Sequence, residues 1–504
     1  RANNGVVLVT SKSGKRGKAE VTLKTNIGQN FLRQTNDFLN AQDFLYWTRI
    51  GAQRSNMTQL LTNAGPFGTG NNINADGNVT SAGQYSTMYR SAITDEKWTE
   101  LQSKGWQLMQ DPVWDGTNPD TQYLIFKEFN VRDASLQEAW TKDYTLSVSG
   151  GNDKGKYYSS LGYYTEDGFP LESNYNRLSF NLNGEYKIRD WLTNNSFVNF
   201  SKSKINDNPI TTDLNFFGRM FSAPPTLREY NNDGELIATV GNYADGNMAA
   251  QIDKFYRRDE TYKTTLGTSL KIDFTKKLYL KLNAIWYMTN NEQEFFNKRF
   301  LKSPGVYDET RKASVSYTRS LNQTYNAILG YKNSIGKNNI NAVAGFEFID
   351  KYRFYFAASG QDATSDDFIN LQYTNAIVNV AGGETTRSMS TTHTQERIMS
   401  SFINANYDYD SRYLVSFSGR LDGYSRLVNN KFGFFPGISF GWNINREEFI
   451  SKYNNIIDNL KLRVGYGQNG NVNLLSGIYD LLGNYANPGN YKGEYGFLLI
   501  SYLI

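Results

Sequence analysis

Ala2-Asn3-Asn4-Gly5-Val6-Val7-Leu8-Val9-Thr10-Ser11-Lys12-Ser13-Gly14-Lys15 opens the chain with a short apolar strand, Val6 to Val9, between a glycine turn and a basic, glycine-containing turn. Beyond that turn the chain settles into strict period-two alternation. Val21, Leu23, Thr25 and Ile27 alternate with Thr22, Lys24 and Asn26. Tyr144, Leu146 and Val148 alternate with Thr145, Ser147 and Ser149, and Leu178, Phe180 and Leu182 with Ser179, Asn181 and Asn183. The pattern returns at 278–286, 413–421, 438–444 and 460–466. Successive side chains of a strand point to opposite faces, so each run has one apolar face and one polar face.

Composition narrows the kind of sheet. Only 39% of the 504 residues are hydrophobic, yet 15% are aromatic, with 35 Tyr, 31 Phe, 43 Gly and 10 Pro. A soluble core of this size would use more aliphatic side chains. A membrane barrel needs apolar residues on one face only and concentrates aromatics at both interfaces. The longest apolar run, 497–504, falls well short of the roughly 18 residues of a membrane helix. Connections alternate between tight (152–155, 189–190, 275–277, 336–338, 408–411) and long (34–141, 206–258, 355–392, with shorter ones at 167–175 and 297–310). Short turns at one rim and long loops at the other are the pattern of outer-membrane barrels. The expected fold is therefore all-β, a partial antiparallel transmembrane β-barrel. Its thirteen strands begin near Ala19, Lys142, Gly155, Tyr175, Trp191, Asp259, Lys277, Arg311, Asn338, Thr394, Arg412, Phe432 and Asn459, and residues 474–504 are a candidate for a fourteenth.

Chemistry is sparse. With no cysteine, disulfides and thiolate metal sites are excluded, and His393, the single histidine, excludes a multi-histidine metal centre. It reads as a surface residue at a loop end. No metal, cofactor or catalytic residue is expected. A net charge of +4 gives no case for nucleic acid. Gly465-Tyr466-Gly467-Gln468-Asn469-Gly470 has the spacing of a dinucleotide loop but ends an alternating strand, and Ser201-Lys202-Ser203-Lys204 closes one. Residues 72–77 read as a turn rather than a calcium loop. Asp366 and Asp367 are paired carboxylates with no reason to face a substrate. Lys12, Lys15, Arg16 and Lys18 read as a solvated turn. In the first long loop, Phe38, Ala41, Phe44, Leu45 and Thr48 suit a short helix capped by Asn40. Five of the eight Trp, residues 47, 98, 106, 114 and 140, lie in that loop. The main reading gives them to the loop's own core. The sharper one makes Trp47, Trp98, Trp106 and Trp114 substrate or partner contacts.

The opening string resembles the last plug strand of SusC-like, TonB-dependent outer-membrane transporters. Lys156-Tyr157-Tyr158-Ser159-Ser160-Leu161-Gly162-Tyr163, Tyr175-Asn176-Arg177-Leu178-Ser179-Phe180-Asn181 with Asp190-Trp191-Leu192, Phe432-Gly433-Phe434-Phe435-Pro436 and 460–471 are similar to later strands of that family. Arg420-Leu421-Asp422-Gly423-Tyr424-Ser425-Arg426 resembles its R-x-D-G-S-S-R-F, departing at Tyr424 and Leu427. The resemblance implies that residues 1–18 end a plug domain and 19–504 form a transmembrane barrel incomplete at its C-terminus, since plugged barrels of this kind close with about 22 strands. It further implies energised import of oligosaccharides or peptides in a Bacteroidetes-type outer membrane, beneath a SusD-like lipoprotein lid and driven through TonB. It carries over no ligand-binding residues. Arg420, Asp422 and Arg426 are expected to form a charge network at the extracellular rim. A passive porin, a soluble carbohydrate-binding β-protein and an adhesin are the alternatives.

Overall fold

Each alternating run becomes a strand of one antiparallel sheet. In the computed structural model thirteen strands lie side by side in chain order. They are β1 (Gly17–Asn30), β2 (Ala139–Gly151), β3 (Gly155–Asp167), β4 (Asn174–Arg189), β5 (Leu192–Asn206), β6 (Phe255–Asp273) and β7 (Leu278–Asn297). They continue as β8 (Ala313–Ile335), β9 (Asn338–Gly360), β10 (Ser388–Tyr409), β11 (Tyr413–Tyr424), β12 (Phe432–Asn443) and β13 (Lys461–Gly467). The structure describes residues 12–33, 37–71, 84–206, 220, 222–230, 254–303, 306–374, 388–427, 430–453, 458–470 and short pieces between 484 and 500. The apolar strand at Val6 to Val9 and the turn at 72–77 lie outside them.

The expected fourteenth strand is not found among the described residues. Pieces of the tail pair only with one another, Asn484–Ala486 with Leu498–Ile500 and Asn490–Tyr491 with Glu494–Tyr495. Two strands are longer than the alternation suggested: β9 runs on to Gly360, and β10 starts at Ser388 rather than near Thr394. Side-chain hydrogen bonds set the tight turns. Asn152 Oδ1 accepts the N–H groups of Lys154 and Gly155 at 2.9 and 3.0 Å, and Thr275 Oγ1 accepts those of Lys277 and Leu278 at 3.1 and 3.0 Å. Such local acceptors favour turns over continued ladder.

Register sorts the side chains into tiers. Across β8, β9 and β10 one face carries Asn333/Ile340/Tyr407, Tyr331/Ala342/Ala405, Leu329/Ala344/Ile403, Ala327/Phe346/Ser401 and Tyr325/Phe348/Met399. Above these stands a polar tier, Gln323/Asp350/Arg397. Each tier is two residues, which at a strand tilt of ~40° is roughly 5 Å of height, so five tiers match the ~25 Å apolar band of a membrane barrel. The same face continues through Leu23/Leu146, Leu161/Phe180, Val198/Leu266 and Phe417/Ile438. Leu329, Phe346 and Ile403 are each more than 40% exposed, a belt too extensive for a protein surface in water. Tyr186, Trp191, Tyr331, Tyr407, Tyr409 and Tyr413 mark its edge near the short turns. Crossing the band takes ~9–11 residues. β8 and β9 have 23 each and so extend well beyond it at the long-loop end.

The opposite face is polar. Lys351 faces Glu396, Glu347 faces Ser400, and Asn404 faces Ser418. Several glycines on this face lie beneath rings of the neighbouring strand, as Gly330 does under Tyr279, where a Cβ would come within 2.2 Å of the ring. The chain enters the sheet from this side. Lys12 O accepts from Asn183 Nδ2 at 3.2 Å, and buried Gly14 is pressed so closely on the backbone of Tyr157 that a Cβ would lie 2.2 Å from its carbonyl oxygen. The polar face is thus the side from which Lys12 to Gly14 approach. Lys12, Lys15, Arg16 and Lys18 are exposed.

The first long connection folds into a small unit of its own. Asn40 Oδ1 caps α1 (Ala41–Arg54) by accepting the Asp43 N–H at 2.7 Å. A three-stranded sheet of Met88–Tyr89, Tyr123–Phe126 and Gln107–Gln110 lies with α1 and α2 (Asp95–Ser103) around buried Leu45, Leu124 and Phe126 on one side and Met88, Leu101 and Ile125 on the other. Arg49, fully buried, donates Nε and Nη2 to the two Asp111 oxygens at 2.9 and 2.6 Å and Nη1 to the carbonyls of Leu61 and Phe67.

Candidate functional site

On the polar face of β9–β11, alternation and register gather charges that are remote in sequence. Arg420 donates Nε to Asp422 Oδ1 at 2.6 Å and Nη2 to Glu347 Oε1 at 3.0 Å and to Ser400 Oγ at 2.8 Å. Two tiers nearer the long-loop end, Glu396 accepts from Lys351 Nζ at 2.7 Å and from Tyr424 Oη at 2.6 Å, and Arg426 Nη1 stands 3.8 Å away. Asp422, Glu396 and Arg426 side chains are each 12% exposed, and Arg420 is 33% exposed. Three cations meet three carboxylates, so the cluster balances its own charge. Glu347, Lys351 and Glu396 join it through strand register, which alternation alone does not reveal. Beside it a cavity of about 340 Å³ is bounded by Phe402, Asn404, Ser418, Arg420, Phe435 and Gly437. The arrangement can stiffen a wall and hold polar solute. It has no nucleophile–base pair, and no cluster of metal-binding side chains occurs among the described residues.

The candidate tryptophans separate. Trp98 and Trp106 pack against Met88, Leu101 and Ile125, with the Arg90 guanidinium 5.7 Å from the Trp98 ring. Trp114 donates its indole N–H to Asn118 O at 2.8 Å. Trp47 is 59% exposed on α1, edge-on to Tyr46. The four are not brought together in one site. His393 is not at a loop end: it is an exposed residue inside β10, because 388–393 continues the ladder with Ser and Thr where no apolar alternation advertises it.

Asp366 has a role that sequence did not disclose. It accepts the Arg299 N–H and Arg311 Nε, each at 2.8 Å, and so clasps the β9–β10 connection to the β7–β8 connection. Glu309 binds both Arg299 and Arg311, and the Arg299 guanidinium lies 3.5 Å over the Tyr307 ring. Burial alone would raise the Asp366 carboxyl, but the Arg299 N–H and the Arg311 guanidinium outweigh it and hold its pKa below the ordinary aspartate value. A depressed folded-state pKa gives stability that is present above the unfolded value, about 3.9, and lost as pH falls through the folded one. The hydrogen-exchange protection of 299–312 and 361–371 in the full-length protein, relative to the intrinsic rate at each pH, is therefore expected to fall below about pH 4. Asp366→Asn should already be fast at pH 7. Equal protection at pH 7 and 3 would contradict this.

A transmembrane antiparallel wall, apolar outside and charge-balanced inside, is the class of protein these features define. No family model matches the chain. It is 25% identical over 503 residues to the TonB-dependent receptor P3 of Formosa agariphila, covering 96% of this chain and 42% of that protein. It is 23% identical over 424 residues to the TonB-dependent receptor SusC of Bacteroides thetaiotaomicron, covering 77% and 40%. The structure of the RagAB peptide importer in its closed-closed state superposes with a TM-score of 0.71 at 19% identity, over 99% of this chain and 52% of the other. The chain is thus similar to proteins named as TonB-dependent receptors, SusC among them, the family that its opening motif resembles. It spans less than half the length of the curated relatives it matches.

Proposed function

We propose that this chain is the first part of the barrel, with the end of the plug at residues 1–18, of a TonB-dependent importer in a Bacteroidetes-type outer membrane. The single observation that carries the reading is the division of faces: a five-tier apolar belt on one side, and on the other a polar wall against which Lys12 and Gly14 enter. The long-loop end is extracellular and the short-turn end periplasmic. The cargo is an oligosaccharide or a peptide, taken up beneath a SusD-like lipoprotein lid. The work is conformational: the plug shifts, the path opens, and no bond is made or broken. The names of the relatives favour this over a passive porin, and the outward belt favours it over a soluble β-protein.

The test uses the full-length gene in its own bacterium. Deletion should abolish growth on one class of polymer, loss of TonB should have the same effect, and the protein should co-purify with a surface lipoprotein. Uptake that persists without TonB would identify a passive pore. Purification without detergent would remove the membrane altogether.

A further inference from the structure

We propose that the outer wall of β8–β10, just above the apolar belt, binds the phosphorylated saccharide headgroup of an outer-leaflet glycolipid. The inference rests on the membrane reading above. Three tiers above the last apolar one, Arg319, Phe354 and His393 stand directly opposite one another in adjacent strands. The His393 ring lies 4.8 Å from Phe354, and its Nδ1 is 3.1 Å from Tyr352 Oη. The Arg319 guanidinium is 5.8 Å from the Tyr352 ring, and Tyr317 lies 6.3 Å from Phe354. Arg319 and His393 are exposed, and no carboxylate lies within ion-pairing distance of Arg319 among the described residues. In the lower of the two tiers between belt and cluster, Arg397 is held by Asp350 at 3.2 Å.

This surface has the chemistry of a sugar–phosphate site. Aromatic faces take the C–H faces of sugar rings, while a guanidinium free of carboxylates and an imidazole N–H suit phosphate oxygens. Its height also fits. Three two-residue steps above the Tyr325/Phe348/Met399 tier correspond to about 15 Å, which is beyond the roughly 5–7 Å interface of a phospholipid leaflet and at the level of saccharide projecting from an outer-leaflet glycolipid. The cluster is continuous with the lipid-facing belt on the same face of the same strands, so one lipid can reach both with its chains below and its headgroup above. Such a contact would fix the barrel's depth and rotation in the leaflet.

The experiment uses the full-length protein in detergent, with bis-phosphorylated lipid A as the probe and lipid A lacking phosphate as its control, read by native mass spectrometry. The wild type should retain the phosphorylated lipid about tenfold more tightly than the dephosphorylated one, and Arg319→Ala/His393→Ala should lose that preference. Asn404→Ala, on the opposite face, should retain it. All variants should keep heat-modifiable gel migration, which reports the intact barrel. Equal retention by wild type and double variant would overturn the inference while leaving the barrel standing. So would a wild type that pairs through this surface with a second copy and takes up no lipid. A protein that needs no detergent would overturn the membrane reading with it.

Discussion

Ile403→Arg should prevent assembly of the full-length barrel, whereas Asn404→Arg, one residue on, should be tolerated. Ile403 lies in the middle tier of the belt with Leu329 and Ala344 opposite in register, and is 45% exposed on the outward face. An arginine at the midplane of a barrel's lipid face costs roughly 2–4 kcal/mol, a large share of a typical domain's net stability. Asn404 faces Ser418 on the polar wall, where water reaches a charge at little cost. The measurement is the fraction of each variant that shows heat-modifiable migration from outer-membrane preparations. The expected order is wild type and Asn404→Arg near full yield, with Ile403→Arg strongly depleted. Equal yields for the two arginines would mean that the faces do not differ in their solvent.

Arg49→Met should melt the first long connection and leave the sheet intact. Arg49 and Asp111 are 0% and 2% exposed, bound through two hydrogen bonds. Removing one member of a buried pair leaves an uncompensated charge and costs roughly 3–5 kcal/mol. The carbonyls of Leu61 and Phe67 lose their donor as well. Hydrogen exchange should therefore speed up at 41–62 and 107–126 while β8 and β9 keep wild-type protection. Arg49→Lys should not restore it, since a point charge cannot replace a planar fork with five donors. Arg49→Met/Asp111→Asn should recover part of the loss, because no buried charge then stands alone. Unchanged exchange in the single variant would mean that the pair is not buried in solution.

The sheet was legible because period two is a local signal. All thirteen expected strands occur in the meander, though β9 and β10 run further than alternation placed them, and the α1 cap at Asn40 could be read from five neighbouring residues. Failures occurred where the signal is not local. Glu347 is 73 residues from Arg420 and meets it only through the registers of three strands. Arg49 and Asp111, 62 residues apart, find each other through a sheet whose strands are two to four residues long, too short to alternate visibly. Trp98 and Trp106 pack on that same sheet, so composition marked them without placing them. His393 reads as a loop-end residue because Ser388 to Thr392 carries one apolar residue, Met389, and a strand wall outside the hydrocarbon needs no apolar face. Asp366 finds both its partners in a different connection from its own, and loop conformation is the part of a chain that local propensity specifies least.

The absence of cysteine makes the central claim, lipid on one side of the wall and water on the other, directly measurable. Single cysteines at 342, 343, 344, 403, 404 and 405 of the full-length protein, spin-labelled in native outer membranes, report the solvent at each position. Labels at 342, 344, 403 and 405 should be relaxed by dissolved oxygen, and those at 343 and 404 by a water-soluble nickel complex, with a two-residue period along each strand. Accessibility without that period, or both sets shielded from oxygen and nickel alike as in a dry two-sheet core, would contradict it.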